Sequence, residues 1–314
     1  MSTFRDTTFL SSNGKTNIHV RRCVPDGEII GVVQIAHGIA EHVERYDAFA
    51  AYLAERGYLA VANDHLGHGQ SINDESDLGF FAENGGWELA VGDMRKLYEA
   101  THAEYPELPY FLFGHSMGSF LARTYIIKYR SGLAGAILCG TGQQPAPIVA
   151  GGKLMGKMEC KRHGARYRSE KLNKLAFGNY NDCFEVRRTV CDWLSRDNAA
   201  VDKYIEDPLC GFIPSAGLFT DMMEGIQFIS SRKNIKRMNM ELPVLFISGD
   251  MDPVGENGKG VIRVYNHFLA AGMTDVTMKL YHDCRHELLN ELNRDEVMKD
   301  ILDWLTVKLP QKNN

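Results

Sequence analysis

The sequence predicts an α/β fold, a mostly parallel central sheet flanked by helices and interrupted once by an inserted helical cap. Short apolar runs alternate with amphipathic helical patterns as far as residue 139, the pattern turns mostly helical from 142 to 240, and the alternation then resumes. Extended segments at 4–10, 17–24 and 31–36 come first, the last apolar and ending at His37-Gly38, and they read as strands leading into a loop. Residues 46–56 place Phe49, Ala50, Leu53 and Ala54 on one helical face, with Gly57 as the stop signal. Strand 59–62, a polar Gly-rich loop, helix 87–104, strand 110–113 and a helix beginning near Ser116 repeat the unit. Such alternation implies parallel strands joined by right-handed crossovers.

After strand 135–139 the helical stretch is punctuated by breaks at Pro145, Pro147, Gly151-Gly152, Pro208 and Pro214. Strand 244–248, a helix over 260–271, strand 277–281 and a final helix over 287–305 then complete the sheet domain. The expected organisation is one α/β core, 1–141 and 241–314, carrying a helical cap at 142–240. The sequence shows no internal repeat or low-complexity tract.

Composition narrows the function classes. The 314 residues are 44% hydrophobic and 24% charged, an ordinary globular balance, and the formal net charge of -5 comes from interspersed signs. Nucleic acid is an unsuitable partner for a chain with no basic stripe. The segment 1–10 carries Arg5 and Asp6 and lacks the apolar stretch of a signal peptide, and no uncharged run approaches the roughly 20 residues of a spanning helix. The expectation is a soluble, cytoplasmic protein. Seven cysteines, odd in number and without CxxC spacing, read as reduced thiols.

The chemistry centres on Gly114-His115-Ser116-Met117-Gly118, a Gly-x-Ser-x-Gly motif between an apolar strand and a helical pattern. A serine on such a turn is held in a strained conformation, and small neighbours let strand and helix pack closely around it. The helix that starts beside Ser116 aims unpaired backbone N–H groups at the reaction centre, with Met117 N–H the natural donor to an oxyanion. A serine hydroxyl also needs an imidazole to take its proton and a carboxylate to orient the ring. In strand-turn-helix nucleophile sites the chain order is serine, acid, histidine.

Two aspartates compete for the acid in Gly249-Asp250-Met251-Asp252-Pro253. Asp252 is favoured because Pro253 pins a turn able to hold it over the sheet; Asp250 is the alternative. Two histidines compete in the loop 282–286, where His286 is placed to swing toward Ser116 and His282 lies nearer the strand. His37-Gly38-Ile39, after strand 31–36, sits where the second oxyanion N–H is supplied, here that of Ile39. His65 and His68 lack a third ligand and fit a Gly-rich turn better than a metal site.

Taken together, these segments resemble the monoacylglycerol lipase and lysophospholipase-like α/β hydrolases, grouped with the serine aminopeptidase sequences. The resemblance rests on His37-Gly-Ile-Ala-Glu41-His42, on the run from Asn63-Asp64-His65 to Gly69-Gln70-Ser71, on Gly114 to Gly118, on Gly249 to Pro253 and on His286-Glu287. It implies the α/β-hydrolase fold, a triad of Ser116, Asp252 and His286, oxyanion donors at Ile39 and Met117, and no metal or organic cofactor. The cap segments 192–197 and 207–212 look like bacterial lysophospholipase-like members and tilt the substrate toward lipid monoesters. Phe212, Phe219, Met222, Met223 and Ile226 are the candidate acyl-pocket residues, or else plain cap core. Ile148, Val149, Leu154, Met155 and Met158 beside Lys153, Lys157 and Lys161 suit either a helix packed on the core or peripheral contact with a lipid surface. The competing functions are an aminopeptidase-type hydrolase of short peptides, with Glu185, Asp192 or Glu224 gripping the free amine, and a non-catalytic ligand-binding protein. The sequence does not define the oligomeric state.

Overall fold

In the computed structural model, which describes residues 2–310, eight strands form one sheet: β1 (Thr3–Leu10), β2 (Asn17–Val24), β3 (Gly31–Ala36), β4 (Tyr58–Asn63), β5 (Tyr110–His115), β6 (Gly135–Cys139), β7 (Val244–Gly249) and β8 (Val276–Tyr281). Their spatial order is β1-β2-β4-β3-β5-β6-β7-β8, with β1/β2 and β2/β4 antiparallel and every later pair parallel. The five strands β3 to β7 are buried along their whole length and read as nearly continuous apolar runs, as a sheet covered on both faces requires. β1, mostly exposed, closes the edge.

Alternation along the strands assigns the two faces. Val32, Tyr110, Leu112, Val244 and Phe246 join the layer built by α2 (Gly86–Glu104), α3 (Met117–Lys128) and α9 (Lys259–Ala271). Val33, Ile35, Phe111, Phe113, Leu245 and Ile247 join the opposite layer, built by α1 (Asp47–Ala54) and α10 (Arg294–Val307). At roughly 25 cal/mol per Å² of apolar surface removed from water, these two layers supply the main driving force for folding.

Between β6 and β7 lie α4 (Ala146–His163), α5 (Glu170–Phe177), α6 (Asn198–Glu206), α7 (Ala216–Ser230) and α8 (Arg232–Ile235). The expected breaks at Pro147 and Gly151-Gly152 do not occur, because α4 runs through them. Pro147 stands in the first turn, where its missing N–H has no intrahelical partner to lose. Gly152 and Gly156 let α4 approach α7: a Cβ on Gly156 would lie 2.4 Å from Thr220 Oγ1.

A second expectation is corrected at the C-terminus. The helix predicted to start at residue 287 begins at Arg294, after a single 3-10 turn at Leu288–Asn290. The fully buried Glu291 carboxylate accepts from Arg285 N at 2.8 Å and Leu292 N at 3.0 Å, so side-chain bonds capture backbone amides and turn the chain.

Candidate active site

Ser116 follows β5 and caps α3 with φ 52° and ψ −121°, a left-handed conformation that a non-glycine residue adopts at a cost of about 1–3 kcal/mol. The surroundings enforce it. A Cβ on Gly114 would stand 2.4 Å from Gly118 O, and one on Gly118 would stand 2.0 Å from Ala36 O, so only glycine lets helix and strands close on the turn. Ser116 N donates to Cys139 O at 3.0 Å and fixes the turn to β6.

The loop after β3 runs beside it. Gly38 is so near that a Cβ there would be 3.2 Å from Ser116 Cβ. Glu41 holds this loop, accepting from Gly38 N at 2.5 Å, Tyr46 Oη at 2.7 Å and Arg45 at 2.6 Å. His37 Nε2 accepts from His65 N at 2.9 Å, which puts the ring proton on Nδ1, 2.7 Å from Gly38 O. Burial among the neighbouring rings holds His37 and His65 well below the ordinary imidazole range. These histidines brace the loop from inside the core. With Gly38 N engaged, the Ile39 and Met117 amides donate to no protein acceptor among the described residues, and both residues line the same cavity as Ser116.

His286 lines that cavity as well, and Asp252 reaches it from behind. His286 Nδ1 and Asp252 Oδ1 are 3.0 Å apart, with the residues 2% and 0% exposed. Asp252 is itself anchored by Val254 N at 2.9 Å and Ser248 Oγ at 3.2 Å. Burial favours the neutral ring, but the charge and hydrogen bond of Asp252, with Glu287 and Glu41 beyond, hold the His286 pKa above its ordinary value. Nε2 is then the nitrogen left for the cavity. The adjacent His115 ring, 4.7 Å away, is driven down to about 4 by burial and by His286, and stays neutral.

The competing residues pair with each other instead. Asp250 Oδ2 and His282 Nδ1 are 3.0 Å apart on the surface, the histidine side chain 88% exposed.

The cavity measures about 1210 Å³ and is walled largely by the segment between β6 and β7. Phe212, Phe219, Met222, Met223 and Ile226 all lie on its wall. On α4 the apolar set divides: Val149 is buried and lines the cavity with Met155, while Leu154 and Met158 point to solvent at 62% and 56% exposure. Glu185, Asp192 and Glu224 are absent from the lining. Asp192 is taken up by Thr189 and Arg188, Glu224 pairs with Lys157 at 2.8 Å, and Glu185 is exposed.

Sequence reasoning missed the clasp between this segment and the histidine loop. His286 N donates to Trp193 O at 3.3 Å, Glu287 N to Leu194 O at 2.7 Å, and Arg196 Nε pairs with Glu291 at 2.9 Å. Glu287 also takes a bidentate bond from Arg45, at 2.6 and 2.7 Å, tying this loop to the one after β3. The available signal was a pair of acidic residues, Glu287 and Glu291, in a stretch otherwise patterned for burial.

The family model described as serine aminopeptidase, S33, matches residues 27–293. The chain is 30% identical over 296 residues to the monoacylglycerol lipase of Mycolicibacterium smegmatis, covering 91% of each protein. It is 26% identical over 310 residues to the monoglyceride lipase of Rattus norvegicus, covering 98% of this chain and 92% of that one. Among solved structures, a highly thermostable carboxyl esterase from Bacillus coagulans in complex with glycerol superposes with a TM-score of 0.92 at 30% identity, over 99% of this chain and 100% of that one. With the family match spanning residues 27–293 and a relative 30% identical over most of both proteins, the chain belongs to the serine aminopeptidase, S33 family and is a monoacylglycerol lipase-like α/β hydrolase.

Proposed function

We propose that this protein hydrolyses lipid monoesters, monoacylglycerols or lysophospholipids, through Ser116, His286 and Asp252. The chain is a carboxylic ester hydrolase. The observation that carries the finer reading is His286, bonded to the buried Asp252, on the same apolar cavity as a serine held at a strained strand-to-helix turn.

In the proposed reaction Ser116 Oγ attacks the ester carbonyl and gives its proton to His286 Nε2. Asp252 orients the ring and stabilises the imidazolium. The Ile39 and Met117 amides hold the oxyanion; removing one such donor costs about 10²–10³ in turnover elsewhere. The imidazolium protonates the leaving alcohol, and water, deprotonated by the same histidine, then releases the acid from the acyl-serine.

The helical segment 142–240 serves as a cap whose Phe212, Phe219, Met222, Met223 and Ile226 take the acyl chain. A cavity near 1210 Å³ with an apolar wall suits a long chain and a small polar head. The outward residues of α4, Leu154 and Met158 beside Lys157, offer the cap a peripheral contact with a lipid surface. No helix among the described residues is long and apolar enough to cross a membrane.

Hydrolysis measured across p-nitrophenyl esters of increasing length, monoacylglycerols, lysophospholipids and aminoacyl amides, with Ser116→Ala alongside, tests this. Ester turnover that favours longer chains and vanishes in Ser116→Ala is expected. Turnover of aminoacyl amides above that of the esters would overturn the substrate class.

A further inference from the structure

Where the cap meets the loop after β3, three side chains of metal-binding chemistry converge away from Ser116. His42 Nε2 stands 2.9 Å from Asp207 Oδ2, and with Cys210 Sγ these ligand atoms all lie within 4.8 Å of one another. Local backbone geometry places two of the three. Cys210 N donates to Asp207 O at 3.0 Å, closing a tight turn over Pro208 and Leu209. Leu209 N donates to Asp207 Oδ1 at 2.8 Å, which anchors one carboxylate oxygen and turns the other toward His42. The next residue, Gly211, donates to Ala40 O at 3.0 Å, so the turn is fastened to the loop that carries His42. His42 and Cys210 are buried, and the Asp207 side chain, 29% exposed, opens the cluster to solvent.

We propose that His42, Asp207 and Cys210 bind a zinc-like divalent cation that bridges the cap and the core. Imidazole, carboxylate and thiolate are the donor types zinc takes, at bond lengths of about 2.0–2.3 Å that keep tetrahedral donors roughly 3.3–3.8 Å apart. At 2.9 Å the His42–Asp207 pair is closer than that spacing, a hydrogen bond that the ion would replace, and Cys210 Sγ lies within 4.8 Å of both ligand atoms. The local charge favours a cation. Arg45, the base that faces Cys210, is committed to both Glu41 and Glu287, and Asp207 adds a further negative charge.

The proton balance follows from the donors. His42 presents the Nε2 lone pair as its Nδ1–H tautomer, exchanging its bond to Asp207 for two bonds to the metal. The Cys210 thiol releases its proton to solvent as the sulfur–metal bond forms, and water completes the coordination. One proton leaves per ion bound, so affinity falls as the pH is lowered. A bound ion cross-links the cap turn to the loop of Ile39, raises the unfolding temperature and slows any step that needs the cap to move.

The test uses the full chain treated with chelator, titrated with Co²⁺ and followed by thiolate-to-cobalt charge-transfer absorption, with proton release read in weak buffer and Zn²⁺ added to displace the cobalt. One equivalent is expected to saturate the band and release one proton. Cys210→Ala should abolish the band, and Asp207→Asn should weaken binding at least about tenfold. Asp250→Asn should leave it unchanged, which separates this site from the exposed Asp250, His282 and Asp283 cluster. Should Cys210→Ala fail to fold, Cys210→Ser keeps the volume and serves in its place. No band, or a band that persists in the Cys210 variant, overturns the proposal. None of these readouts uses ester turnover, so the assignment of an ester hydrolase stands or falls separately.

Discussion

Two aspartate–histidine pairs bridge the same two loops of this protein at the same distance. Asp252–His286 and Asp250–His282 each close at 3.0 Å. Their surroundings separate them: the first pair is buried, with His286 on the cavity, while the second has a histidine side chain 88% exposed. Both imidazoles have raised pKa values, but by different balances. At His282 the hydrogen bond to Asp250 leads, in water that screens it. At His286 burial opposes the charged form and the Asp252 carboxylate overcomes it. Proximity alone therefore does not distinguish the two pairs; burial and a place on the cavity with Ser116 do.

Substitution separates the pairs most strongly at the rings. His286→Ala is expected to lower kcat by on the order of 10⁵–10⁶, against a change within about twofold for His282→Ala, both read as ester turnover at saturating substrate. The carboxylates should differ next. Asp252→Asn should cost about 10⁴ in kcat by leaving the imidazole in the wrong tautomer, and Asp250→Asn no more than a few-fold. Equal losses from the two aspartate substitutions would erase the distinction drawn here.

The pH profile sharpens the comparison further. His286 must be neutral to accept a proton, so kcat/KM should rise with pH through a limb lying above the ordinary imidazole value of about 6.5. In Asp252→Asn burial is opposed only by the weaker charges of Glu287 and Glu41, and the residual activity should show its acid limb at lower pH. Linkage gives the matching stability effect. Because the folded pKa of His286 is raised, its contribution is complete below about pH 6.5 and is lost as pH rises through the folded value. The smallest expected effect is at the surface. Removing both Asp250 and His282 side chains should move the unfolding temperature by no more than about 2 °C, since exposed ion pairs contribute little.

How much of this is legible in the sequence depends on the range of the interaction. The parallel core was readable because strands buried on both faces must be apolar runs, and β3, β5, β6 and β7 lie where those runs end. Ser116 was readable because strand, glycines and helix are contiguous in the chain. Boundaries failed where side chains from elsewhere intervene. The last helix starts at Arg294, not at 287, because Glu291 binds backbone amides of its own loop and Arg196 of the segment between β6 and β7. Proline and glycine signals in α4 misled because their cost depends on position in the helix and on the neighbour they face.

The segment between β6 and β7 shows the same limit. Residues 142–240 announce helices but not which face of each helix meets the core, and α4 sends Val149 inward and Leu154 outward. The sequence by itself determined the α/β architecture, the strained serine turn and the short set of candidate acids and bases, because each depends on residues adjacent in the chain. Only the tertiary structure placed His286 on the cavity with Ser116 and Asp252 against its ring, and left Asp250 and His282 paired at the surface. It also brought together the Glu41–Arg45–Glu287 bridge and the clasp of Trp193 and Leu194 on His286 and Glu287, since burial and charge pairing are set by residues far apart in sequence.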